Sequence, residues 1–389
     1  MLRQESAGEA AFRKEVAEWL AGAVPPELRD LTFRPSHAEA LGWYRKLSGR
    51  GWVAPHWPQT FGGMGASPVE QIILMEELAR AGAPDFPTQG LNHIGPTLMA
   101  RGNPVQQTRH LPPILAGDVI WCQGYSEPGA GSDLANLRTR AEVRGDRLIV
   151  NGHKIWTTWG HHADWMFALV RTGQESAGRD GITFVLIDLH SDGVTRRPIE
   201  TIAGDDEFCE VFFDDVAVPL ENVVGELGDG WSVATAVLME ERLRLGAPAL
   251  AFKAMERLRR VVSHLGRNDA HTRHRLAQAE VAVETLVAAY LSAAETQGEG
   301  TDGATAYLKI LSTETVQQIL AFAQELAGEY AALKMPLRDG DGNRVDLSEM
   351  YLQSRRLSIY GGTNEIQRTL IASKVLELPR SARPKKGTS

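Results

Sequence analysis

Strand-like segments in this chain are confined to its middle, and the residues on either side carry apolar positions at helical spacing. Regular alternation of strand and helix would build a parallel nucleotide-binding sheet. Segregation predicts instead an α+β fold in three successive parts. Residues 1–117 read as an N-terminal helical domain. Phe12, Val16, Trp19 and Leu20 recur at helical intervals before Pro25 and Pro26 end the run, because proline lacks the donor that a continuing helix needs. Pro68 opens a second helix to Ala81, and 91–101 and 104–115 read as short helices. Residues 118–228 read as a β-barrel-like middle domain. Its strand candidates are 119–123, a hairpin over 141–150 turning at Gly145-Asp146, 164–171, 182–189 and 210–213. Residues 229–389 return to helical spacing and read as a C-terminal four-helix bundle. One helix runs from Trp231 to about Leu265, others cover 276–294 and 304–327, and a polar break at 338–343 precedes two last helices. The tail from Pro384 reads as disordered.

Composition narrows the class. Among 389 residues, Lys and Arg total 41 against 49 Asp and Glu, a net charge of −8, which argues against a nucleic acid partner. No apolar run approaches the ~18 residues of a membrane span, and the N-terminus lacks a signal-peptide stretch. Two cysteines, Cys122 and Cys209, cannot build a disulfide framework. The simplest setting is the cytoplasm, with no membrane partner. The usual dinucleotide, P-loop, zinc-protease and serine-hydrolase motifs are missing. His271 and His274 stand three residues apart in an Arg-rich stretch that reads as a solvated helix face, so no metal is expected there.

Three constellations carry chemistry. Gln123-Gly124-Tyr125-Ser126-Glu127-Pro128-Gly129-Ala130-Gly131-Ser132-Asp133 follows a strand, and its glycines let backbone approach a ligand closely. An ordinary glycine turn would have the same composition. In Asn151-Gly152-His153-Lys154-Ile155-Trp156-Thr157-Thr158, strand alternation puts Trp156 and Thr158 on one face, an aromatic plate beside a hydroxyl. A core aromatic on a strand reads the same way. Ser358-Ile359-Tyr360-Gly361-Gly362-Thr363-Asn364-Glu365 is a glycine turn into a helix, with Thr363 or Asn364 as N-cap.

Together these strings resemble the signatures of the acyl-CoA dehydrogenase flavoproteins, over essentially the whole chain. The resemblance implies that family's fold, FAD as cofactor, an acyl-CoA thioester as substrate and electron transfer flavoprotein as acceptor. It implies flavin contacts by Gln123, Tyr125, Ser126, Gly131, Ser132, Trp156, Thr157, Thr158, Thr363 and Glu365, and substrate contacts by Ser132, Arg242 and Gly362. The implied reaction is α,β-dehydrogenation to the trans-2-enoyl-CoA, with the α-proton taken by a carboxylate and the β-hydrogen passed to flavin N5. The string 121–128 is similar to bacterial large subunits acting on dicarboxylyl- or steroid-side-chain-CoA esters. Two other readings stay open: a non-catalytic supporting subunit, and a flavin oxidase or monooxygenase on the same fold.

Many members carry the base two residues before the Thr of the last motif, where this chain has Gly361. A second branch, typified by isovaleryl-CoA dehydrogenase, places a Glu just before an Arg, and Glu241-Arg242 matches it. Val237, Leu238 and Leu245 flank Glu241 at helical spacing, an aliphatic setting that raises a carboxyl pKa. An exposed Glu paired with Arg244 is the plainer alternative. Glycine at 361 keeps the backbone N–H that such enzymes aim at the thioester carbonyl, so Gly361 retains a catalytic role. Removal of Trp156, read as a buried aromatic, is expected to release flavin and to destabilise the fold by about 3–5 kcal/mol.

Homotetrameric members of the family donate an R-x-x-F-G segment and a Q-x-x-G-G-x-G segment to a neighbour's flavin. Here the corresponding positions hold Val262 and Leu265, and then Gln324 and Gly328 without the glycine run. Valine cannot pair a pyrophosphate as arginine does. The resemblance therefore implies a heterotetramer with a second, related subunit, with a homo-oligomer as alternative. Arg259, Arg260 and Arg267 are the nearby groups that could serve the phosphate instead.

Overall fold

The computed structural model describes residues 4–31, 34–173, 178–295, 302–333, 337–338, 344–345 and 348–379, with backbone alone at 239–242, 302, 337–338 and 344–345. The N-terminal helices are α1 (Ala7–Ala23), α2 (His37–Ser48), α3 (Pro68–Arg80), α4 (Gly95–Arg101) and α5 (Pro104–Ala116). Capping boxes start four of them: Ser6 with Glu9, Ser36 with Glu39, Ser67 with Glu70, and Asn103 with Gln106. Each satisfies two of the orphan donors at a helix start. The sequence expectations leave out helix α2, although Ala40, Trp43, Tyr44 and Leu47 stand at helical spacing and Ser36-x-x-Glu39 forms its capping box. The segment 91–101 is not one regular helix: Gly90–Ile94 forms a π-helical turn that runs into α4.

The middle part is a curled sheet of β1 (Trp121–Gly124), β2 (Arg140–Arg144), β3 (Arg147–Thr158), β4 (Trp165–Arg171), β5 (Ile182–Asp188), β6 (Val194–Ile199) and β7 (Phe208–Pro219). The order is β1-β4-β2-β3-β7-β6, with β5 paired to β4. Strand β1 begins at Trp121 rather than at Val119, and β3 and β7 extend well beyond their predicted lengths. Strand β6 is absent from the sequence expectations because Arg196, Arg197 and Pro198 hide any alternation. Charge and proline mark an edge strand, and β6 does end the sheet path. Both faces of β4 and β5 are covered. Phe167, Leu169, Phe184 and Leu186 face the helices, while Met166, Ala168, Val170, Val185 and Ile187 face the barrel interior. A strand buried on both sides reads as a continuous apolar run. His110 of α5 lies edge-on to Trp121 and Trp165, at 5.1 and 4.9 Å.

The C-terminal part contains α6 (Gly230–Leu245), α7 (Ala249–His264), α8 (Ala270–Glu295) and α9 (Asp302–Ala327). The helix expected from Trp231 to about Leu265 is therefore two. Pro248 caps α7 and separates it from α6, as proline at a helix start does. A two-residue ladder, β8 (Leu337–Arg338) with β9 (Arg344–Val345), flanks the glycine-rich break, and α10 (Ser348–Ser354) and α11 (Asn364–Lys374) follow. Most of that break and the tail from Pro384 lie outside the described residues. Helix α9 is central, touching α6, α7, α8, α10 and α11. No described helix is long and apolar enough to cross a membrane.

Candidate functional site

The glycine-rich loop leaves β1 and is held at its base by a buried ion pair. Lys154 of β3, fully buried, donates to Glu127 Oε1 at 2.8 Å and to the Tyr125 carbonyl at 3.2 Å. The Glu127 carboxylate also accepts the amides of Arg138 and Thr139, at 2.6 and 2.9 Å. Against the effect of burial, Lys154 and these donors hold Glu127 below the usual carboxylate range. Burial draws the Lys154 ammonium down to about 8, with Glu127 opposing the fall. The Ile155 amide donates to the Ser126 carbonyl at 3.0 Å, tying the loop to β3 a second time. Sequence reasoning assigns Glu127 and Lys154 no role. The available signal is one of two acids in the first string and a lone lysine in the second.

Beyond Glu127 the loop is open. Gly129, Gly131, Ser132 and Asp133 are exposed, and a Cβ at Gly129 or Gly131 would meet nothing within 4 Å. Ser126 and Gln123 are half-buried. Tyr125 is different: its ring is buried, edge-on to Phe167 at 5.9 Å and to Phe184 at 6.4 Å, so its side chain belongs to the core.

The Trp156 face departs from simple alternation. The register between β3 and β7 shifts between Lys154 and Thr157, and Trp156 sits there at φ 61°, left-handed backbone rare for a bulky residue. The bulge turns the indole outward, and Trp156 is 57% exposed. Among the described rings it meets only the edge of Phe208, at 6.1 Å. Trp156 is therefore no core aromatic, and the cost of burial loss does not apply to the chain alone. Thr158 is half-buried beside it, paired with Phe208 across the ladder, whereas Thr157 is buried next to Cys209.

At the third motif, Gly361 and Gly362 both take left-handed φ, 65° and 80°. Gln367 Nε2 donates to both of their carbonyls at 3.1 Å, and a Cβ on Gly362 would stand 2.7 Å from that nitrogen. Thr363 is the N-cap of α11, its hydroxyl accepting the Ile366 amide at 3.2 Å. Asn364 is buried instead and accepts from Lys309 of α9 at 2.9 Å. Glu365 is held below its usual range by its own amide and by the Thr363 hydroxyl.

Phe208 links the last two regions. The Arg356 guanidinium lies 5.0 Å from its ring and pairs with Glu207 at 2.6 Å, and Arg34 meets the same carboxylate at 3.1 Å. The Trp156 face and the segment leading to Gly361 thus share one wall. Glu241 and Arg242 lie near the C-terminal end of α6, and their side chains fall outside the described residues. The helix packs on β5, on the Gly90–Ile94 turn and on α9. His271 does meet a carboxylate, Glu325 of α9 at 3.9 Å, a partner that sequence spacing does not reveal.

An outward aromatic plate, neighbouring hydroxyls and an open glycine loop suit a flat heteroaromatic ligand with polar edges. Comparison with known proteins agrees with that chemistry. The descriptions "Acyl-CoA dehydrogenase, N-terminal domain", "middle domain" and "C-terminal domain" match residues 6–118, 122–216 and 228–376. Acyl-CoA dehydrogenase IpdE1 of Mycobacterium tuberculosis is 37% identical over 383 residues, covering 96% of this chain and 98% of that one. Acyl-CoA dehydrogenase FadE26 of the same organism is 35% identical, covering 96% and 97%. Among solved structures, the Tcur3481-Tcur3483 steroid ACAD aligns with a TM-score of 0.85 at 31% identity, covering 97% of this chain and 99% of that one. The ChsE4-ChsE5 complex from M. tuberculosis aligns at 0.82 and 32% identity, covering 98% and 100%. With relatives this similar along nearly its whole length, the chain belongs to the acyl-CoA dehydrogenase family.

Proposed function

We propose that this chain is the base-bearing subunit of an FAD-dependent enzyme that forms a trans-2-enoyl-CoA from an acyl-CoA. The family is one of flavoproteins, and the residues fit the cofactor. The exposed Trp156 offers a stacking plate, Thr158, Ser126 and Ser132 offer hydroxyls, and Gly129 and Gly131 leave room for close backbone approach. FAD, when bound, supplies the two-electron acceptor for the β-hydrogen. Glu241 takes the α-proton, in keeping with general-base catalysis by a carboxylate on an apolar helix. Gly361 contributes its N–H to the thioester oxygen, where negative charge develops. Thr363 and Glu365 start α11 beside the flavin, and Arg242 and Gly362 contact the thioester. Electron transfer flavoprotein is the acceptor by family resemblance. The "steroid ACAD" neighbour favours a CoA ester from steroid breakdown as substrate.

The observation that carries this reading is the glycine pair at 361–362. Glycine puts no side chain at the position of the usual base, which leaves a carboxylate to be supplied from elsewhere, and Glu241-Arg242 matches the sequence pattern of a second branch of the family. Anaerobic addition of acyl-CoA to the flavin-loaded protein should bleach the flavin. Glu241→Gln should slow bleaching by about 10²–10⁴ while Glu240→Gln changes little. Loss of bleaching in Glu240→Gln alone would refute the assignment of the base.

We also propose a second, related subunit. Val262 and Leu265 pack against the helical core and Ala327 is part of it, so these positions serve the chain's own interior. Two of the arginines nearest in sequence are already paired, Arg259 with Glu256 and Glu280, and Arg260 with Asp30. Two solved relatives carry paired names, Tcur3481-Tcur3483 and the ChsE4-ChsE5 complex.

A further inference from the structure

The wall that Trp156 shares with the segment leading to Gly361 is built from two parts of the chain. Trp156 and Phe208 belong to β3 and β7, while Gly361 follows α10. Polar bridges cross between them. In one, Arg356 Nη2 donates to Glu207 Oε2 at 2.6 Å, and the same guanidinium lies 5.0 Å from the Phe208 ring, which meets Trp156 edge-on at 6.1 Å. In another, Gln353 Nε2 donates to Asp205 Oδ2 at 3.2 Å, and Asp205 also accepts the Glu207 amide at 3.3 Å. On the C-terminal side, the Arg356 carbonyl accepts the amides of Ile359 and Tyr360 at 2.9 and 3.1 Å, so its main chain leads directly into the left-handed turn at Gly361. On the middle side, the Glu207 carbonyl accepts the amide of Trp159 at 2.7 Å, just past the bulge at Trp156. Arg34 occupies the other oxygen of Glu207 at 3.1 Å. Against the effect of burial, the two arginines hold this carboxyl below its usual range, so the pair is charged at neutral pH.

Resting on the flavin reading above, we infer that Glu207 and Arg356 are positioning residues: their ion pair sets the gap between the Trp156–Phe208 plate and the Gly361 turn, and with it the slot that the flavin ring and the thioester share. An ion pair that only held two parts of the chain together could sit anywhere on their common surface. This one is stacked on the ring that backs Trp156, and its main chain runs into the turn opposite. A charge-assisted hydrogen bond is directional, so it fixes a separation that an apolar contact would let slide. Precision matters here, because a misplacement of about 1 Å between reacting groups costs on the order of 10²-fold in rate.

The test titrates FAD into the stripped assembly and reads three quantities: the Kd, the visible circular dichroism of the bound flavin at saturation, and the melting temperature before FAD is added. Arg356→Met is the informative variant, since Glu207 stays paired with Arg34 and no buried charge is left alone. It should raise the Kd for FAD at least about tenfold, the scale of one charge-assisted hydrogen bond, and alter the dichroism of the flavin that still binds. Arg356→Lys, which can keep the pair with Glu207, should restore both. Lys253→Met serves as the control: it breaks the 2.6 Å pair with Asp85 that joins α7 to the N-terminal part, and should lower the melting temperature as much while leaving Kd and dichroism unchanged. A Kd and dichroism unmoved by Arg356→Met, or moved equally by Lys253→Met, overturn the inference and leave the dehydrogenase reading standing. If the wild-type assembly takes up no FAD, the flavin reading falls and the inference with it.

Discussion

Trp156 is held in a conformation that an indole rarely adopts, with its ring turned to solvent, and among the described rings only the edge of Phe208 meets it. A residue strained and exposed in this way is stabilised by what covers it. Trp156→Ala should therefore abolish flavin retention while changing the stability of the flavin-free chain by less than about 1 kcal/mol, as surface substitutions do. Calorimetry of stripped protein beside flavin absorbance of the loaded protein checks both halves. A drop of several kcal/mol in the stripped protein would mean that the ring belongs to the core after all. The sequence singles out Trp156 but not its exposure, because alternation has no means of announcing a bulge. It is silent on Lys154 and Glu127, since the pairing of two residues 27 apart depends on a fold that neither string encodes by itself.

Helix α5 carries a titration prediction. Burial between two tryptophans, with Arg109 alongside, lowers His110 to about 4. The unfolded chain takes up this proton near pH 6.5 and the folded chain does not until about pH 4, so stability falls as pH drops through that window. The loss amounts to about 3 kcal/mol at the acid end. His56, drawn down to about 3 by burial and by Arg244, acts in the same sense. Melting temperature measured from pH 7 to pH 4 should decline, and His110→Phe should flatten the decline. An equal slope in His110→Phe would rule out this histidine as the source. At this scale, elements with caps or strong periodicity are legible in the residues themselves: α1 from its apolar stripe, α3 from Pro68, β4 and β5 from their apolar runs. The edge strand β6 is not, because edges are built from the residues that disguise a strand. The break between α6 and α7 is written in Pro248, but the apolar spacing continues across it and masks the signal.

The segregation of strands to the middle of the chain is enough to give the α+β architecture, because layer packing follows from element order. Assembly is less legible, because on the proposed pairing with a second subunit it depends on residues outside this chain. Expressed alone, the chain should be flavin-poor or poorly soluble. With its partner it should form a two-plus-two heterotetramer holding about one FAD per heterodimer, on symmetry grounds. Size exclusion with flavin quantitation decides, and a homotetramer with four FAD and normal turnover would sink the heteromer. The buried Lys154–Glu127 tether gives that experiment a sharper meaning. Because the base of the glycine-rich loop is anchored by the chain's own charges, it is already shaped before a ligand arrives, and on the proposed function flavin binding need not spend free energy on ordering it. The difference in flavin affinity between the isolated chain and the complex is then a direct measure of what the second subunit contributes.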